Sequence, residues 1–179
     1  MAVRPVVKLP HNVLRNPAEA VPIAEISGAR IQRLIRDMKD TLAASTDGVG
    51  LAAPQIGAGV RLFLVSEEAK AIGADAQEPQ GMRGLKAWQY FVFINPVLGK
   101  RSRQKTTAAE GCLSVPGKFG EVTRSDKVYL EWLDEHAMRH RRGFAGFFAR
   151  VIQHELDHLD GVLIVERAKK LFHVTGGKS

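Results

Sequence analysis

The stretch "GFAGFFARVIQHELDHLDG", residues 143–161, constrains this chain more than any other. Phe147, Val151, His154 and His158 follow one another at three- and four-residue steps, the spacing of one face of an α-helix. The pattern predicts a helix of about four to five turns, stopped by Gly161, whose apolar stripe ends in two imidazoles. Both rings therefore point into the protein, and any fold of this chain must cover that face with other elements.

Other segments show what can do the covering. "EISGARIQRLIRDMKDTLAAS" places Ile31, Leu34, Ile35, Met38 and Leu42 at helical spacing, with Ser27 as a candidate cap. In "DGVGLAAPQIGAG", glycines and Pro54 interrupt regular structure, and "VRLFLVS" from Val60 reads as a buried strand. "YFVFINPVLG" reads as a second strand ended by Asn95-Pro96, and "KVYLEWLDE" as a third. The polar, glycine-dotted segment around 67–87 reads as a surface insertion. Strands in the middle and helices near both ends, without regular βαβ alternation, imply an α+β fold with mostly antiparallel β-sheet packed around a C-terminal helix. A chain of 179 residues suits one such core, so residues 1–179 are expected to form a single domain.

Composition narrows the setting. A hydrophobic content of 45% fits a soluble fold, no apolar run reaches the roughly 18 to 20 residues that span a bilayer, and "MAVRPVVKLP" lacks the features of a secretory signal. A single cysteine, Cys112, makes no intramolecular disulfide and points to a reducing compartment, with the cytoplasm as the default. A net charge of +7 raises the question of nucleic acid. The charge is spread, however, and neither "RHRR" (139–142) nor "ERAKKLF" (166–172) is interleaved with stacking aromatics, so mostly solvated faces and no sequence-specific nucleic-acid partner are expected.

Two histidines one helical turn apart can bind one ion, with Glu155 beside the first placed to work on water held by that ion. The plain alternative is a core helix with two hydrogen-bonded histidines. A catalytic metal takes three protein ligands and keeps one position open. A metzincin-type protease would require a histidine where Ile164 stands. A thermolysin-like one would require a glutamate on a second helix well downstream, where only Glu166 lies close by. Cys112, in the glycine-punctuated "AAEGCLSVPG", is the remaining candidate, against the reading of an inert buried thiol. Asp157 and Asp160 are expected to face solvent or to support the site rather than coordinate.

"GVGLAAPQIG" (48–57), "EGCLS" (110–114) and "QHELDHLDG" (153–161), in this order and at these separations, resemble the three signature motifs of peptide deformylase. The resemblance runs from about residue 5 to 168. It implies an enzyme that removes the N-formyl group from the initiator methionine of nascent polypeptides, releasing formate. Metal ligands would be Cys112, His154 and His158, with Glu155 as general base and then acid. The side-chain amide of Gln55 and the backbone N–H of Leu113 would receive the oxyanion. Ligand type alone reads as zinc; the resemblance implies Fe2+ as the physiological ion, with Zn2+, Ni2+ or Co2+ as substitutes. Gly48, Val49 and Gly50 resemble the edge segment that pairs with the nascent peptide, and Val49, Phe147 and Val151 are candidates to line a slot for methionine. Glu110 and Arg124 are expected to support the metal loop. The nascent N-formylmethionyl peptide is the expected partner and the ribosome a candidate one. Two other readings stay open on the residues: an HExxH-type metalloprotease, and a structural metal domain that binds RNA through its basic face.

Overall fold

The computed structural model describes residues 2–46, 48–74 and 89–173. Its centre is β2 (Leu62–Ser66), every residue of which is buried. That follows from two-sided packing. Leu62 and Leu64 point to one face of the sheet and pack with Ile31, Ile35, Met38 and Leu42 of α1 (Ala29–Ala43). Phe63 and Val65 point to the other and pack with Phe148, Ile152 and Leu156 of α3 (Gly146–Leu159). The two helices thus cover opposite faces of one antiparallel sheet of order β1-β2-β3-β6-β7, with β1 (Gly50–Ala52), β3 (Tyr90–Arg101), β6 (Lys127–Leu133) and β7 (Arg139–Ala145) completing it. A second antiparallel sheet, β4 (Lys105–Gly111), β5 (Lys118–Ser125) and β8 (Leu171–His173), pairs in the order β4-β5-β8. It is tied to α3 by Gln153, whose amide donates to the Ser125 carbonyl and accepts from the Ser125 N–H, and by Arg150, which donates to the Val122 carbonyl. The α+β class expected from the sequence is observed. Among the described residues no helix is long and apolar enough to cross a membrane.

Several boundaries differ from the sequence reading, each for a physical reason. Ser27 does not cap α1; Gly28 holds the N-cap position in an extended conformation without a side-chain hydrogen bond. Residues 143–145 belong to strand β7, because Phe144 pairs opposite Val128 and packs into the aromatic cluster of Phe93, Trp132 and Phe148. Asn95-Pro96 does not end β3. Asn95 adopts a left-handed φ of 49° and its side-chain amide bonds both backbone groups of Val21, at 2.8 and 2.7 Å. The ladder to β6 shifts register there, so Pro96, which has no N–H to offer, sits at an irregularity and the strand continues. Within "GVGLAAPQIG", Gly50–Ala52 form the edge strand β1 and Ala53–Ile56 a 3-10 turn. The expected insertion opens with a helix, α2 (Glu68–Ala74), anchored by the fully buried Ala69; residues 75–88 lie outside the described residues.

The end of α3 is fixed by Gly161. Its φ is 73°, and a Cβ there would lie 2.5 Å from the Arg15 carbonyl oxygen. Gly161→Ala therefore meets both a disfavoured backbone conformation and a backbone clash, and should lower stability by about 1 to 3 kcal/mol, read as a reduced midpoint in urea with an unchanged slope.

Candidate metal centre

The turn after β4 and the inner flank of α3 meet at three side chains. Cys112 follows the last pair of the β4–β5 ladder, Gly111 opposite Phe119, and its carbonyl accepts from the Val115 N–H. Its Sγ lies 3.2 Å from Nε2 of His158. Together with His154, one turn earlier on α3, these residues offer ligand atoms within 4.8 Å of one another, and no fourth histidine, cysteine or carboxylate joins the group among the described residues. The His154 and His158 rings stand 5.0 Å apart and nearly perpendicular. Glu166 is elsewhere: its carboxylate accepts from the Leu163 N–H and pairs with Arg15.

Behind the three side chains lies a buried charge network. Nδ1–H of His154 donates to Glu110 at 3.1 Å, which leaves Nε2 as the nitrogen open to a metal ion. Glu110 also accepts Nε and Nη2 of Arg124, at 3.0 and 2.9 Å, and Nη1 of Arg150 at 2.8 Å. Arg124 in turn pairs with Asp157, which also binds Arg167. Burial pushes the Glu110 carboxyl up, but hydrogen bonds from His154 and Arg124 and their charges outweigh it and bring it down to about 2. Burial also works against protonated His154, yet its hydrogen bonds to Cys112 and Glu110 raise it well above the ordinary imidazole range. His158 goes the other way, lowered by burial and by the neighbouring charges of His154 and Arg124. The surroundings thus draw positive charge to one side of the imidazole pair while two adjacent imidazolium ions are disfavoured. A single cation shared between the rings and the sulfur satisfies both tendencies, so these residues fit a divalent ion.

Glu155 adjoins this group without being part of it. It is 3% exposed, burial raises its carboxyl to about 7, and its Oε2 has no hydrogen-bond partner among the described residues. Gly50 of the edge strand leaves no room for a side chain, since a Cβ there would press on the Glu155 carboxylate and on Val151. Gln55 is 2% exposed; its carbonyl accepts from the Ala52 N–H at 2.8 Å, and its amide nitrogen faces Ser114 Oγ at 3.3 Å and Cys112 Sγ at 3.8 Å. Leu113 packs against the α1-side core and borders Gly48. Val49, Phe147 and Val151 all belong to the apolar cluster on the α3 side, and the Val49 carbonyl accepts from Ser66. Cys112, His154, His158, Glu155, Gln55 and Gly50 thus gather where the second half of α3, the edge of β1 and the turn after β4 meet, while Phe147 stands in the first turn of α3.

Arg150 is the residue that sequence reasoning missed. Its position, one turn before His154 and two before Asp157, was the available signal: three ionisable groups in one helical row imply a polar row facing other elements. A cavity of about 540 Å³ does not open on the three candidate ligands but lies along the flank of α3 that carries Gln153 and Asp157. Convergent donors and a buried, unpartnered carboxylate locate chemistry better than empty volume does, and they mark the Cys112 side.

The family described as polypeptide deformylase matches residues 3–173 of the chain. A peptide deformylase of Leptospira biflexa serovar Patoc is 40% identical over 174 residues, covering 96% of this chain and 92% of its own. One of Dehalococcoides mccartyi is 40% identical over 166 residues, covering 93% and 86%. Among solved structures, a class I type b peptide deformylase from Acinetobacter baumannii with bound Met-Ala-Ser superposes with a TM-score of 0.78 at 32% identity, over 92% of this chain and 98% of that one. A peptide deformylase from Thermotoga maritima gives 0.77 at 29%, over 95% and 100%. With a family match across nearly its whole length, and a cysteine and two histidines gathered as a metal-dependent hydrolase requires, the chain belongs to the peptide deformylase family, enzymes that remove N-formyl groups from nascent peptides.

Proposed function

We propose that Cys112, His154 and His158 hold the catalytic ion of this deformylase, with Fe2+ as the physiological metal and Zn2+, Ni2+ or Co2+ as substitutes, and that residues 1–179 act as one catalytic domain. The observation that carries the reading is the convergence of one thiol and two imidazoles beside a buried carboxylate with an unpartnered oxygen. When bound, the ion supplies Lewis acidity, polarising the formyl carbonyl and making water acidic enough to attack it. Glu155 takes the proton from that water and returns it to the departing amine nitrogen, a role favoured by a carboxyl that burial has raised toward neutrality. The Gln55 amide, held by Ala52 through its carbonyl end, and the Leu113 N–H donate to the oxygen that gains charge. Both belong to fixed turns, so little reorganisation is needed when that charge appears.

The nascent peptide is bound by its main chain. Gly48, Val49 and Gly50 lead into β1, the outermost strand of its sheet, where an extended chain can add as a further strand. Gly50 brings that strand against Glu155, which places the first residue of an added chain beside the base. Val49, Phe147 and Val151 line the methionine slot. The reaction takes place in the cytoplasm, where the single thiol stays reduced, on chains emerging from the ribosome.

Glu155→Ala should reduce formate release from formyl-Met-Ala-Ser by about 10²- to 10⁴-fold, with metal content by atomic emission unchanged; loss of the metal would overturn the role given to Glu155. Glu110→Gln should weaken metal affinity about 10- to 100-fold in a chelator competition, through loss of the charge that orients His154; unaltered affinity would remove Glu110 from the site. Gly50→Ala should displace the Glu155 carboxylate and lower kcat by up to about 10²-fold with the metal retained, and a wild-type kcat would contradict the close approach.

A further inference from the structure

The flank of α3 turned away from Cys112 carries Gln153, Leu156, Asp157 and Asp160 along the cavity of about 540 Å³. This volume is in the range of small-ligand sites. Its charge is one-sided. Arg101 and Lys105 form one lip, Arg61 and Arg167 also line it, and Arg124 lies deeper. Among the described residues the lining sets two carboxylates, Asp157 and Asp160, against these five cations, and both are already engaged: Asp157 by Arg124 and Arg167, Asp160 by Arg61 at 2.9 Å. Arg101 and Lys105 are exposed, and among the described residues no carboxylate pairs with either.

The lip is the turn between β3 and β4, whose sequence "KRSRQK" (100–105) holds four cations in six residues. It is a denser run than its surroundings and was not among those singled out from composition. Its meaning appears only in the fold, where Arg101 and Lys105 line one cleft with Arg61, from the start of β2, and Arg167, from the helix after α3. The remaining lining is neutral: the hydroxyls of Thr123 and Ser125 and the amide of Gln153, with Pro96, Val97, Leu98 and Leu156. Among the described residues of the lining there is no aromatic ring to stack a base or another flat group. Guanidinium forks, an ammonium and hydroxyls together match the oxygens of a tetrahedral dianion or phosphodiester.

We propose that this cleft is a binding groove for phosphate groups, gripped by Arg101 and Lys105 on one lip and by the unengaged nitrogens of Arg61 and Arg167. The phosphate can come from two sources, a small phosphorylated molecule or the backbone of an RNA strand, and both are recognised by the same contacts. Arg124 and Asp157 are shared with the network behind His154, so substitutions that test the groove belong on the lip.

Titration calorimetry of the metal-loaded protein with inorganic phosphate, and separately with a short uridine oligonucleotide, tests this. At least one probe should bind saturably with one site per chain. The double variant Arg101→Ala/Lys105→Ala should weaken that binding about tenfold or more through loss of charge-assisted contacts, while deformylation and metal content stay at wild-type levels. The variant Arg139→Ala/Arg141→Ala, on strand β7 and outside the cleft lining, should bind as wild type does. Phosphate binding alone identifies a small ligand, and markedly tighter oligonucleotide binding identifies an RNA backbone. Absence of saturable binding by both probes, binding that survives in Arg101→Ala/Lys105→Ala, or equal weakening in the two variants would each overturn the proposal.

Discussion

One buried carboxylate, that of Glu110, ties together the parts of the molecule that its chemistry needs. It is 7% exposed and accepts four hydrogen bonds, from Arg124, Arg150 and His154. Burying an isolated carboxylate is strongly unfavourable; here the desolvation is offset by two guanidinium groups and an imidazole N–H in good geometry. The partners come from two elements, Arg124 from β5 and Arg150 and His154 from successive turns of α3, so the cluster locks the second sheet to the helix. Two residues after Glu110 comes Cys112. The position of the sulfur and the orientation of the His154 ring are therefore set by the same carboxylate, and neither depends on a surface loop holding still.

The other half of the site is set by apolar packing. Phe148, Ile152 and Leu156 of α3 press on the face of β2 and β3 that carries Phe63, Val65 and Phe93. That contact determines how far α3 stands from the edge strand β1. The gap is small enough that Gly50 touches Glu155, which brings a strand edge suited to peptide binding directly against a carboxylate suited to proton transfer. The helix divides the molecule functionally: one flank faces the sulfur and the edge strand, while the opposite flank, through Asp157 and Asp160, faces a cationic cleft.

Much of this was legible in one dimension. Helical periodicity placed His154 and His158 on the buried stripe of α3, and elimination of Ile164 and Glu166 left Cys112 as the remaining candidate for a third donor; its sulfur lies 3.2 Å from His158. β2, β6 and α1 followed from apolar patterns long enough to be unambiguous. The second sheet was not visible, because β4 is largely exposed and polar and β8 is only three residues long, and both are held by pairing with β5 rather than by a buried apolar face. Asn95 was read as a strand end because the Asn-Pro pair looks like a turn locally; a contact with Val21, distant in sequence, turns it into a register shift within a continuing strand. Phe144 and Ala145 were read as helix since their apolar character fits either element, and only pairing with β6 decides between them.

By itself, then, the amino-acid sequence determined the chemical types and the local spacing: two imidazoles one turn apart, a carboxylate beside the first, a lone thiol and a glycine-rich segment. Those follow from helix geometry and side-chain chemistry, which act over a few residues. Tertiary structure alone decided that a single carboxylate orients one imidazole, that Gly50 abuts Glu155, and that cations from the residue before β2, from β3, from β4 and from the last short helix face a common cleft. Such relations arise from long-range packing and from charges brought together out of distant parts of the chain, and no local pattern encodes them.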